Sequence, residues 1–164
     1  MEATTIIWAT DGSDLADRAL EVLIDFAKNW ATLPRIVAVH IDQRWTGREM
    51  NVPKLAGEED LETKIQAKMR ALENDGFATG FELRRSHRIE DESGLIASAA
   101  SEIGAQLIVV GTRGHGRMAG ALLGSVAQGL LHGVSCPVLV IPPVDAKHAT
   151  TEAAEEPTET AVDG

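Results

Sequence analysis

Tyrosine is absent from the 164-residue chain, and aromatic residues make up only 4% of it. A core short of large rings is left to Ala, Val, Leu and Ile, which suits helices packed on a parallel sheet. There is one cysteine, Cys136. No disulfide can form within the chain, which fits a reducing compartment and a cytoplasmic setting. Cys136 precedes Pro137 at the start of an apolar run and reads as a buried, inert thiol. Basic residues are outnumbered, 15 against 25 acids, for a formal net charge of −10. That balance argues against a bulk electrostatic affinity for nucleic acid or an anionic membrane, but it leaves room for a small anion site built from backbone donors. No stretch approaches the roughly 20 apolar residues of a membrane span. The opening residues have no basic segment and no long apolar run, so no signal peptide is expected. A Ser-His-Asp set, a metal-ligand spacing and a Walker A loop are all missing.

What is present is a glycine-rich stretch, Gly111 to Ser125 (GTRGHGRMAGALLGS). It follows Leu107–Val110, an apolar run of the kind that forms a buried parallel strand, and precedes a helical period over Val126–Val134. Ser125 stands where a helix cap is expected. Glycines between a strand end and a helix start let successive N–H groups approach an anion, and the helix N-terminus adds donors and partial positive charge. Arg113, His115 and Arg117 are placed either to neutralise phosphate or simply to be solvated.

The rest of the chain alternates strand and helix. Thr4–Thr10 reads as the first strand, ended by Asp11-Gly12-Ser13, with Ser13 or Asp14 capping a helix. On that helix Leu15, Ala19, Val22, Leu23, Phe26 and Trp30 share an apolar face. Ile36–Ile41 is the second strand. Residues 42–57 have no period and are expected to form a long loop, a candidate lid containing Trp45. Residues 58–74 read as a helix stopped by Gly76. Phe81–His87 alternates like an edge strand. Glu90, Asp91 and Glu92 lie at a helix start that their charge favours, and Gly104 stops that helix. Leu107–Val110 and Val138–Ile141 complete five strands and four helices, an α/β pattern. From Asp145 onward six acids, one lysine and no apolar period predict a disordered acidic tail. The expected division is therefore a domain over 1–144 and a tail over 145–164.

Gly111-x-x-Gly114, nine residues, then Gly124-Ser125 resembles the signature of the ATP-binding branch of the universal stress protein family. Cys136-Pro-Val-Leu-Val-Ile141 is similar to that family's last strand, and Asp11-Gly12-Ser13 to the end of its first. The resemblance covers roughly residues 4–142. It implies a doubly wound five-stranded parallel sheet in the order 3-2-1-4-5, with helices on both faces. It also implies a site for ATP or a related adenine nucleotide. Gly111, Thr112, Arg113, Gly114, His115, Gly116, Gly124, Ser125 and Val126 would lie along the phosphates. Asp11, with Gly12 and Ser13, would meet a ribose hydroxyl or a Mg²⁺ ion. Adenine would meet the backbone of Val39, His40 and Ile41. His40 is expected as a backbone contact or a packed residue rather than a catalyst. The family further implies a homodimer through the last strand and a protein partner not specified by the sequence. Trp8 departs from the family's usual aliphatic residue.

Three functional classes remain open at this level. The first is a nucleotide-dependent sensor or regulator in stress response. The second is a slow ATP-hydrolysing enzyme with Asp11 or His115 as base; the adenylating Ser-Gly-Gly-x-Asp-Ser loop of related folds is not matched by Thr10-Asp11-Gly12-Ser13-Asp14. The third is a nucleotide-free interaction module.

Overall fold

A computed structural model describes residues 3–42, 61–86, 92–112 and 123–143. The elements run β1 (Thr5–Ala9), α1 (Asp14–Ala27), β2 (Arg35–Asp42), α2 (Leu61–Asn74), β3 (Ala78–Arg85), α3 (Glu92–Ile103), β4 (Leu107–Gly111), α4 (Ser125–Gly133) and β5 (Val138–Ile141). All pairings are parallel, and the sheet order is β3-β2-β1-β4-β5.

Strand alternation divides the core into two layers. Ile6, Trp8, Ile36, Ala38 and Val109 face α1 and α2. Ile7, Ala9, Val37, Val39, Ile108 and Val110 face α3 and α4. The central strands β1, β2 and β4 are therefore apolar on both sides, as a sheet covered on both faces requires. Helices stop where the chain turns left-handed, at Gly76 (φ 91°) and Gly104 (φ 69°).

Several sequence expectations change in three dimensions. The buried stripe of α1 is Ala16, Ala19, Leu20, Leu23 and Ala27. Phe26 is 61% exposed, and Trp30, beyond the helix end, is 39% exposed. Three alanines let α1 approach the sheet closely, and the larger apolar side chains are turned to its flank. β3 runs earlier than the alternation suggested, because Ala78 pairs with Arg35 at the start of β2. Cys136 is half-exposed, not buried. It lies just before β5, in a crevice lined by the small residues Ala97, Ala100 and Gly104.

The two sheet edges differ. On β3, Arg84 pairs with Glu82 (2.9 Å) and with Glu102 of α3 (2.6 Å), so charge blunts this edge. On β5 the edge is Val-Leu-Val-Ile, with Val138, Leu139 and Val140 only partly covered. Among the described residues no helix is long and apolar enough to cross a membrane. The expected lid and Trp45, apart from Asp42, lie outside the described residues, as do Arg113, Gly114, His115, Gly116, Arg117 and the tail.

Candidate functional site

Because every strand is parallel, their carboxyl ends share one edge of the sheet. The order reverses at β1, with β2 on one side and β4 on the other. A crevice at such a reversal is the usual ligand position in open α/β sheets. Asp11-Gly12-Ser13 leaves β1, Val39-His40-Ile41 ends β2, and Gly111-Thr112 ends β4. These segments, distant in sequence, are thereby neighbours.

The turn after β1 is tightly specified. The Gly12 N–H donates to Thr10 Oγ1 (3.1 Å), and the Ser13 N–H to Asp11 Oδ1 (3.0 Å). Ser13 Oγ accepts from the Ala16 N–H (3.2 Å), so Ser13 is the cap of α1. The Trp8 indole N–H donates to the Ala16 carbonyl (2.7 Å), which gives the buried ring its partner and pins the first turn of α1 to β1. Gly12 has φ 77°, and a Cβ there would press on Leu61 Cδ1. Glycine is thus favoured chiefly by the left-handed conformation, with the end of the Leu61 side chain packed over it.

On β2 the ladder sets which groups face β1. The Arg35 N–H donates to Thr4 O (2.8 Å), and Val39 O accepts from the Thr10 N–H (3.0 Å). Odd-numbered residues therefore turn their backbone edge toward β1. Ile41, two residues beyond Val39, turns the same edge past the point where β1 leaves the sheet. The Val39 carbonyl already has a donor in Thr10. His40 is buried, with Nδ1 2.9 Å from the Thr10 carbonyl. It is a packed residue, in line with the sequence reading.

At β4 the Thr112 N–H donates to Ile141 O (2.9 Å), and the Gly124 N–H donates to Thr112 O (2.6 Å). The base of the glycine loop is therefore closed, and α4 begins beside the end of β4. Gly124 is the N-cap of α4, and Ser125 is its exposed first residue, correcting the expected cap at Ser125. The reason is the Thr112–Gly124 bond, which fixes Gly124 as the last extended residue. The cap has no side chain to offer, so the first-turn amides of Ser125, Val126 and Ala127 meet no capping oxygen from it. Nearby, Thr112 Oγ1 is buried without a hydrogen-bond partner among the described residues. An orphaned hydroxyl near a helix start whose glycine cap offers no oxygen fits a bound anion.

One neighbour of this turn is not legible in the sequence. Glu92, at the start of α3, has its carboxyl pushed above the ordinary range, first by burial and then by the negative charge of Asp11. The favourable helix terminus is outweighed. Its sequence reading as a dipole-satisfying acid misses that α3 packs against β1 and β2 and brings it beside Asp11. No group of three or more potential metal ligands occurs among the described residues.

The family model for universal stress proteins matches residues 2–142. The chain belongs to the universal stress protein family. Among solved structures, hypothetical protein MJ0577 is similar over 89% of this chain and 100% of its own, at 22% identity and a TM-score of 0.69. A universal stress protein in complex with cAMP is 23% identical over 87% of this chain and 98% of its own, with a TM-score of 0.53. A family member from Arabidopsis thaliana with AMP bound is 16% identical over 93% of this chain and 99% of its own, with a TM-score of 0.55. At these identities the likeness is one of fold.

Proposed function

We propose that this universal stress protein binds an adenine nucleotide, ATP with Mg²⁺, in the crevice between β1, β2 and β4, and acts as a nucleotide-dependent regulator in stress response. The observation that carries this reading is the start of α4: a glycine cap with no side-chain oxygen for the first-turn amides, and the orphaned Thr112 hydroxyl, beside the strand reversal. The cAMP and AMP complexes of similar proteins support the ligand class.

The amides of Ser125 and Val126, with the Ser125 hydroxyl, hold phosphate at the helix terminus. Gly124 admits the phosphate by its lack of bulk, since its own N–H is engaged with Thr112. Gly111, Arg113, Gly114, His115 and Gly116 complete the loop side. Asp11 accepts from a ribose hydroxyl or meets the Mg²⁺, whose remaining ligands are phosphate and water. Ile41 offers its backbone edge to adenine. The bound nucleotide adds negative charge to a molecule already at −10, so backbone donors and the helix terminus have to hold it locally. Regulation then requires that a partner distinguish the filled from the empty site, by no more than the difference in nucleotide affinity between the two states.

The molecule pairs with a second copy through β5. The Ile108 N–H donates to Pro137 O and the Thr112 N–H to Ile141 O, so Val138 and Val140 turn their backbone groups to the open edge. An apolar edge whose donors have no partner among the described residues favours pairing, whereas the charged β3 edge does not.

Acid denaturation of purified protein, followed by chromatography and mass spectrometry of the released small molecules, tests the ligand. Near-stoichiometric ATP supports the reading. A protein that is empty and also gives no calorimetric signal with ATP–Mg²⁺ refutes it.

A further inference from the structure

We propose that His40 is a positioning residue, holding the Thr10–Ser13 turn in the shape that receives the nucleoside part of the ligand; this rests on the nucleotide reading above. The paired register of β1 and β2 ends at Ala9 and Val39. One residue on, the Thr10 N–H still reaches Val39 O, but the Thr10 carbonyl lies 2.9 Å from the His40 ring. A carbonyl only accepts, so Nδ1 carries the proton and donates. The side chain thus takes over the carbonyl where the ladder stops, which lets the backbone turn out of the sheet without stranding a buried acceptor.

The consequence runs down the turn. With both backbone groups of Thr10 engaged, its hydroxyl receives the Gly12 N–H (3.1 Å), and Asp11 Oδ1 receives the Ser13 N–H (3.0 Å). Asp11 is thereby oriented by a chain of bonds that starts at His40, and Gly12 is held at φ 77° under Leu61. His40 is 8% exposed and sits on a rigid central strand, so its ring has little freedom to let the turn drift.

The test compares wild type with His40→Phe, which keeps a ring and deletes the donor, and with His40→Asn, whose amide nitrogen is as many bonds from the backbone as Nδ1. Should the phenylalanine variant fail to fold, His40→Leu replaces it. The first readout needs no ligand: amide exchange at Gly12 and Ser13, followed by NMR, with Ile108–Val110 of β4 as internal control. The donor-less variant is expected to exchange about tenfold faster at Gly12 and Ser13 with β4 unchanged. The second readout is calorimetric affinity for ATP and for adenosine, expected to weaken by the same factor, about tenfold. His40→Asn should restore both to within about threefold of wild type. Unchanged exchange at Gly12 and Ser13, or an asparagine variant as impaired as phenylalanine, overturns the positioning role. A wild type that binds no nucleotide overturns the ligand reading, and with it the nucleoside half of this proposal, while the exchange result separately decides whether His40 holds the turn.

Discussion

The carbonyl of Thr112 accepts the N–H of Gly124 at 2.6 Å, closing the base of the glycine loop at the point where β4 gives way to α4. This bond makes Gly124 the cap of α4, and glycine has no side chain to cap with. Its φ of −75° and ψ of 163° are open to any residue, so conformation alone does not require glycine there. On the nucleotide reading proposed above, close approach of the phosphate does.

Gly124→Asp should therefore act in opposite directions on stability and binding. A capping carboxylate in place of glycine at this position is worth a few tenths of a kcal/mol to the fold. The same group fills and charges the anion site, so ATP affinity should fall by more than about tenfold. Thermal melting and titration calorimetry on the same preparation read both. A variant less stable than wild type, or equal in affinity, would contradict the account of α4.

Gly12→Ala places a methyl group against Leu61 and forces a side chain into the left-handed region. The conformational part costs about 1–2 kcal/mol. The contact part is smaller than overpacking usually costs, because Leu61 Cδ1 is the end of a flexible side chain. In urea melts the substitution should cost about 1–3 kcal/mol, and about 1 kcal/mol of that should persist in a Leu61→Ala background. Loss of the whole effect in that background would mean that the left-handed turn is not a constraint.

Glu92 carries a carboxyl raised by burial and by Asp11. A raised acid favours the fold only while protonated. Its contribution is present below the unfolded-state value and is lost as pH rises through the folded one. Glu92→Gln should therefore stabilise the protein at neutral pH, by about 0.5 kcal/mol for a half-buried group, and the gain should vanish on acidification. Melting temperature measured across pH 3 to 8 checks the sign; a gain that grows at low pH would reverse it.

Val140→Pro removes an edge-facing N–H from β5 and leaves the bonds of Pro137 and Ile141 to β4 in place. Sedimentation should show the pair separating into single chains at concentrations where wild type stays paired, with circular dichroism little changed. Wild type that sediments as a monomer would remove the edge-pairing proposal.

Removing residues 145–164 takes away half of the formal net charge of the molecule and no part of the family match. Melting temperature and nucleotide affinity should stay near their wild-type values. A large loss of either would mean that the tail contributes to the domain.

The sequence by itself determined the alternation of strand and helix, the glycine stops at Gly76 and Gly104, and the position of β5, which runs over the expected Val138–Ile141. These follow from short-range preferences: apolar runs, helical spacing and residues that tolerate positive φ. The family resemblance, carried by spaced glycines, supplied the strand order. What only the tertiary structure decided was set by contacts between segments remote in sequence. Ala16, Ala19, Leu20, Leu23 and Ala27, and not Phe26 and Trp30, became the buried face of α1, because depth of approach depends on the opposing sheet. Gly124 and not Ser125 became the cap, because Thr112 reaches it from β4. Glu92 came to face Asp11, and His40 to hold Thr10, because parallel strands bring their carboxyl ends to one edge whatever their separation along the chain.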